Sequence, residues 1–338
     1  MIKTAKQQLP GDDLLPSNIQ FGTNRKPCVG LILVQLQMQF RSLGRPSPAS
    51  VASLGHFTNM TKQSLSWCAA LLLGVLTLLN SAVAGTHVWS GAVNAKWSVA
   101  GNWASGGVPA FGETAVVLRF PAEGANREIT NDVAQLTVQK IELTGNGYRI
   151  YGASIHLTNA PSGTNFSVVA GLGGTLDLPI IMPNGTFTAA AGSSGTLEFS
   201  GPISGYGALH KLGTGVVKFT GDDGNTFSGG FYLVAGKAYL GKTMGVALPG
   251  PVFIGATNEP AVFGQEPNFV VAYLAHNQIA DAADIHVWGG ASELDLNGYN
   301  DTVNDLDLVD GSVTTWSSSF GPDGTCELTV TSRPRRWF

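Results

Sequence analysis

Four pentapeptides of one kind recur at a nearly constant interval. Gly-Thr-Leu-Asp-Leu begins at Gly174, Gly-Thr-Leu-Glu-Phe at Gly195, Gly-Val-Val-Lys-Phe at Gly215 and Gly-Lys-Ala-Tyr-Leu at Gly236, intervals of 21, 20 and 21 residues. Ser-Glu-Leu-Asp-Leu (292–296) and Gly-Thr-Cys-Glu-Leu-Thr-Val (324–330) echo the unit further on. Each unit places apolar residues two apart, the period of a strand with one buried face. One such unit cannot bury its apolar positions alone, so it must stack on its neighbours. The interval matches one coil of a parallel β-helix, which needs two or three short strands and the bends between them. The expected fold is therefore an all-β solenoid. In it Leu176, Leu197, Val217 and Ala238 lie above one another, with Leu178, Phe199, Phe219 and Leu240 as a second inward stack. Glycines at the corners permit backbone angles that other residues resist. The alternative is a β-sandwich with evenly spaced strands.

Composition points the same way. Of 338 residues, 44 are Gly and 12% are charged, while 43% are hydrophobic. That suits β-structure with many turns, and it is not the profile of a disordered chain. Period-2 patterns recur at Thr114–Phe120, Gln135–Leu143, Tyr148–Leu157, Phe166–Val169 and Thr175–Leu178. No window sustains an amphipathic helix. The best candidate, Tyr273–Ile285 with Asp281 and Asp284, reads as a short turn or helix. Residues 85–338 carry twelve Lys/Arg against twenty-one Asp/Glu, a net charge of −9. An acidic body without a basic stripe argues against nucleic-acid binding, which relies on neutralising phosphates.

The N-terminal quarter is organised differently. Residues 60–84 have Lys62 as a short positive region, an apolar run from Trp67 to Leu79, and the small-residue signature Ala82-Val83-Ala84. This is the pattern of a secretory signal peptide cut between Ala84 and Gly85, and its apolar core is short for a membrane span. Residues 1–59 then read as an upstream extension before a true start at Met60, or as disordered. The rival reading is a signal anchor with a cytoplasmic tail. Cleavage would remove Cys28 and Cys68 and leave Cys326 alone, so no disulfide framework holds the mature chain. Domain boundaries follow: an N-terminal cap and first coils over 85–170, a β-helix over 171–330, and a tail at 331–338. The tail, rich in Arg (Arg333, Arg335, Arg336), breaks the repeat and reads as disordered or as a premature end.

Residues 205–241, GYGALHKLGTGVVKFTGDDGNTFSGGFYLVAGKAYLG, carry the clearest motif. They resemble the autotransporter-associated β-strand repeat, also called the passenger-associated transport repeat. The family pattern is met by Gly205, Gly207, Leu209, Lys211, Gly213, Gly215, Val217, Phe219, Thr220, Gly221, Asn225, Thr226, Phe227, Gly229, Gly230 and Gly236. Asp222-Asp223-Gly224 is longer than the single residue usual between Thr-Gly and Asn-Thr, and Phe227 stands for the common Tyr. One clear repeat covers about a tenth of the chain. Trp89–Gly112 and residues 294–313 look like other parts of large surface proteins with this repeat. The resemblance implies a secreted, right-handed β-helix of the passenger type, and it implies no chemistry. Passengers of this kind often end in an outer-membrane barrel, for which this chain has no room.

Few residues suggest catalysis. Asp222 and Asp223 are a candidate acid–base pair, but neighbours on a strand point to opposite faces and converge only in a turn. Asp222, Asp223 and Asn225 offer hard oxygen ligands for calcium, as does the run Asp295, Asn297, Asn300, Asp301, Asn304, Asp305, Asp307 and Asp310. Neither run fits a known calcium-loop register, and both read as solvated turns and corner caps. His87, His156, His210, His276 and His286 are scattered and read as surface or turn residues, so zinc is not expected. No nucleophile elbow or phosphate loop occurs. Trp89, Trp97 and Trp103 are a candidate sugar-stacking platform, or else a cover for the open end of the solenoid. Asn165 and Asn184 match glycosylation sequons, which mean little in the bacterial source that the resemblance implies.

These observations lead to an expected function. The chain reads as a secreted or cell-surface, non-catalytic rod exported through the general secretory pathway. It would bind no cofactor and contact extracellular glycans, matrix or other cells, touching a membrane only through its leader or a separate translocator. A polysaccharide lyase or hydrolase on the same fold, or a carbohydrate-binding module built on the tryptophans, are the alternatives.

Overall fold

A computed structural model describes residues 85–159, 164–255, 269–315 and 326–332. The leader at 60–84, the extension at 1–59 and the arginines of the tail lie outside the described residues. Parallel strands stack into a β-solenoid of about 8 turns, with no α-helix among the described residues. Each coil runs over three faces.

Face A collects Val116–Phe120, Phe166–Val168, Thr186–Ala191, Ala208–Leu212, Phe231–Leu233, Val252–Gly255, Asp284–Trp288 and Asp305–Val309. Face B collects nine strands, from Glu128–Asn131 and Tyr148–Gly152 to Ser292–Asp295 and Ser312–Thr314. Face C is shorter. It holds Ile155–Leu157, Ile180–Met182 and Ile203–Gly205, and later Asp301–Val303 beside Leu328–Val330. The long strand Leu136–Leu143 serves two faces: its first half pairs with Ile155–Leu157 on face C, its second with Phe166–Val168 on face A.

Alternation decides what lies inside. In Thr196–Phe199 the burial runs half-buried, buried, half-buried, buried. Leu197, Val217, Ala238, Val271 and Leu294 lie in one register row, and Phe199, Phe219, Leu240 and Tyr273 in the next. All nine are buried. The Phe199 and Phe219 rings stack at 5.8 Å. Burying a side chain of this size contributes about 1.5–3 kcal/mol, and the rows repeat that gain coil after coil.

One register differs from the sequence expectation. Leu176 sits beside Phe199, not Leu197, and Leu197 sits beside Gly174. Leu178 is buried but lies beyond that strand, where the following corner begins. Gly173 and Gly174 have entered the strand, whereas Gly195 and Gly215 precede theirs. Space explains the glycine: a Cβ on Gly174 would lie 2.4 Å from Leu143 Cδ1. Aligning the pentapeptides therefore placed Leu176 and Leu178 one inward position too early. The helix considered at Tyr273–Ile285 is likewise absent. Phe269–Tyr273 and Asp284–Trp288 are strands, and the residues between them turn the corner.

Candidate functional site

The glycine-rich corner at 220–230 carries Asp222, Asp223 and Asn225. Asn225 is buried there, and its side chain joins three coils. Its Oδ1 accepts from the Ile203 N–H at 2.8 Å, and its Nδ2 donates to the Ala247 carbonyl at 2.7 Å. Its own N–H donates to Val246 O at 2.8 Å. No strand forms on face C in this coil, and the side-chain amide adds to the backbone bonds that join it to the preceding coil, Thr226 N to Ile203 O at 2.8 Å and Ser228 N to Gly205 O at 2.9 Å. Asn225 therefore has no oxygen directed at a metal. Asp222 and Asp223 are exposed, and Asp222 Oδ1 accepts from Thr243 Oγ1 at 2.7 Å.

A cation already serves this corner. Lys242 is buried, and its Nζ donates to Ser200 O at 3.0 Å and Gly201 O at 3.1 Å. Burial lowers its ammonium to a pKa of about 8, while the charges of Asp223, Asp177 and Asp222 pull the other way. The two inserted aspartates thus compensate a buried charge. Lys211, the lysine of the repeat motif, is buried too and has no carboxylate partner among the described residues. Its Nζ donates to Leu212 O at 3.0 Å, Gly213 O at 2.6 Å and Ala235 O at 2.8 Å, and burial brings it to about 8. Gly236 has φ +75, and a Cβ there would lie 2.4 Å from Gly215 O and 2.9 Å from Lys211 Nζ. The motif's lysine and glycine are two halves of one corner.

The second oxygen-rich run is engaged in the same way. Asp301 is buried, and its carboxylate accepts from the N–H groups of Gln278 (3.0 Å), Ile279 (2.9 Å) and Thr302 (2.7 Å). Burial still raises its pKa above the ordinary carboxylate value. Asp295 accepts from Asn297 N, Asn297 donates to Tyr273 O, Asn304 donates to Asp284, and Asp305 accepts from Ser332 Oγ. On face B, Arg149 pairs with Asp177, and Glu198 accepts from Thr175 and Thr220. Among the described residues no three His, Cys, Asp or Glu side chains are grouped to hold a metal ion.

The tryptophans form no sugar platform. Trp89 and Trp97 are fully buried and Trp103 nearly so. Trp103 meets Trp89 edge-on at 5.2 Å and Trp97 at 6.1 Å, and Trp97 stacks on Phe120 at 6.0 Å. With no ring face in solvent, they plug the first coil. Thr86–Trp89 pairs parallel with Val116–Phe120 and antiparallel with Trp103–Ser105, so the cap also covers the solenoid's first strand edge. Asn102, buried, holds the connecting loop through Val93 N, Asn94 N and Lys96 O. His87 departs from the surface role expected of it: it is buried, edge-on to Trp103 at 5.8 Å.

A half-buried row of rings on the outer side of face A was not anticipated. His210, Tyr232, Phe253 and His286 occupy one outward register row on face A. Their rings stack with centroids 4.4, 4.5 and 4.6 Å apart. That spacing approximates the 4.7–4.9 Å between strands, so register alone brings the rings together. Trp288 joins at 5.0 Å from His286, and its Nε1 donates to Asp307 at 2.9 Å. His286 Nδ1 lies 3.3 Å from the same carboxylate. Burial lowers the pKa of His210. Ring faces are covered by neighbouring rings, so the ridge presents edges, a phenol and ring nitrogens to solvent. The signal was in the sequence: the rings recur at spacings of 22, 21 and 33 residues.

No helix among the described residues is long and apolar enough to cross a membrane. A scan of protein-family models, a search of curated proteins and a search of solved structures each return no match to this chain.

Proposed function

We propose that the protein is a secreted or cell-surface rod of the passenger type, structural and adhesive rather than catalytic. The observation that carries this reading is the ring ridge on face A, which runs along the solenoid axis across four coils. A stacked solenoid presents flat, repeating faces suited to many weak contacts with an extended partner. Ring edges beside a phenol and imidazoles combine apolar area with hydrogen-bonding groups, the mix common where proteins meet glycans or other proteins. The leader-like segment at 60–84 and the repeat motif at 205–241 support export to the outside of a bacterial cell.

The test uses the full chain expressed in a secretion-competent bacterium. Protease treatment of intact cells should degrade the protein, or the medium should contain it. Cells or medium should also bind immobilised glycans or matrix proteins, with binding about tenfold weaker for the Tyr232→Ala, Trp288→Ala double variant. Retention inside the cell, or binding indifferent to the ridge, would overturn the reading.

A further inference from the structure

We infer that the ring ridge on face A docks a proline-rich protein segment in the polyproline II form, laid along the solenoid axis with a basic residue at the Asp284–Asp307 end. The inference rests on the adhesive reading above and narrows its partner to one kind of peptide.

Register builds the surface. His210, Tyr232, Phe253 and His286 follow one another across four coils, and Asp307 takes the next place in the row. Neighbouring rings lie 4.4–4.6 Å apart. A partner laid along the row therefore meets one ring per coil. Two coil steps span about 9.5 Å, twice the usual distance between strands. One turn of polyproline II takes about three residues and rises about 9.3 Å. It returns the same side of its backbone to every second ring, to Tyr232 and His286 or to His210 and Phe253. An extended strand repeats about every 6.7 Å and falls out of step with the rings after one repeat.

Chemistry selects the same partner. The face of an aromatic ring is its negative side and the edge its positive side. Tyr232 and Phe253 each have a stacked ring on both faces. The faces on which a sugar would stack are thus taken, and edges remain. Ring edges, a phenol O–H and an imidazole N–H all suit an acceptor. Burial lowers the pKa of His210, which favours the neutral ring with its one N–H donor. A polyproline II chain makes no internal hydrogen bonds, and proline has no N–H, so the partner is a line of carbonyl acceptors between apolar rings. Its conformation is set before it docks, so little chain entropy is lost.

Charge marks one end. Asp307 accepts from Trp288 Nε1 at 2.9 Å, and Asp284 accepts from Asn304 Nδ2 at 2.7 Å. Neither carboxylate pairs with a lysine or arginine among the described residues. An arginine beside the prolines could meet these carboxylates and lie against the Trp288 ring, two contacts to which a guanidinium is suited.

The test is fluorescence anisotropy with the purified full chain. The probes are a dye-labelled oligoproline with an arginine at each end, a glycine–serine peptide of equal length and charge, and a labelled cello-oligosaccharide. The oligoproline should bind at least about tenfold more tightly than the glycine–serine peptide. Tyr232→Ala should weaken it about tenfold, as loss of an aromatic anchor does. Asp284→Asn should weaken it about threefold. Tyr206→Ala, at an exposed tyrosine outside the ridge row, should leave it unchanged. Equal binding of the two peptides overturns the inference, and that comparison needs no variant to fold. Oligoproline binding indifferent to Tyr232 overturns it as well, and so does binding of the oligosaccharide alone. If the ridge still governs attachment to glycans or matrix in those cases, the adhesive reading stands without the inference. If it governs neither, both fall.

Discussion

Lys211 and Lys242 place ammonium groups where the chain carries mostly apolar rows. Each is satisfied chiefly by backbone carbonyls, and burial brings each to a pKa of about 8. An unfolded lysine titrates near 10.4. Between about pH 8 and that value the unfolded chain binds more protons than the folded one, so stability rises with pH across the window. Below about pH 8 both states are charged and these lysines add no slope. Tyr273, whose phenol burial holds well above its ordinary value, acts oppositely once unfolded tyrosines ionise near pH 10. Urea titrations between pH 8 and 9.5 therefore isolate the lysines. The midpoint should rise, by at most about 1.4 kcal/mol of stability per lysine per pH unit. Lys211→Met should remove its share of that slope. A midpoint that falls through this window contradicts the assigned charge states.

The corner is the element that carries the repeat's meaning. Where face C lacks a strand, Asn225 bridges from Ile203 to Ala247, and Phe227 behind it is buried. Asn225→Ala strips a partner from two buried backbone groups, each costing about 1–3 kcal/mol when orphaned. A loss of about 2–4 kcal/mol should appear in chemical denaturation, whereas Asp223→Ala, at an exposed position, should cost under about 1 kcal/mol. Comparable losses at the two positions would contradict the division of labour between the motif and its insertion. The same corners explain what the sequence could reveal. Strand positions were readable because alternation follows directly from burial, as in Thr196–Phe199. The Leu176 register was not readable, because a slip of two residues keeps every inward residue inward. The outward ring row is marked only by its spacing from coil to coil, so His210 and His286 looked scattered until stacking brought them onto one ridge with Tyr232 and Phe253. Asn225 was visible as part of the motif, but not the fact that its two polar atoms bond to different coils.

At the scale of the whole molecule, a solenoid behaves as a line of units that each contact only their neighbours, so its stability is approximately a sum of coil and interface terms. The ends are then where opening begins, and a cap matters beyond its own contacts. Trp97 is the fully buried link between Trp103 and Phe120, joining the cap to the first complete coil. Trp97→Ala should cost about 3–5 kcal/mol locally. In a globular core that loss would be shared by the whole cooperative unit. In a line of coils it should open one end and spare the distant coils. Hydrogen exchange followed by mass spectrometry distinguishes these outcomes. In Trp97→Ala, exchange should quicken in Thr86–Trp89, Val116–Phe120 and Glu128–Asn131, while Val216–Phe219 and Gly236–Leu240 keep most of their protection. Uniform loss along the chain would mean that the coils unfold as one body, and the tryptophans would then be ordinary core residues rather than the closure of a linear array.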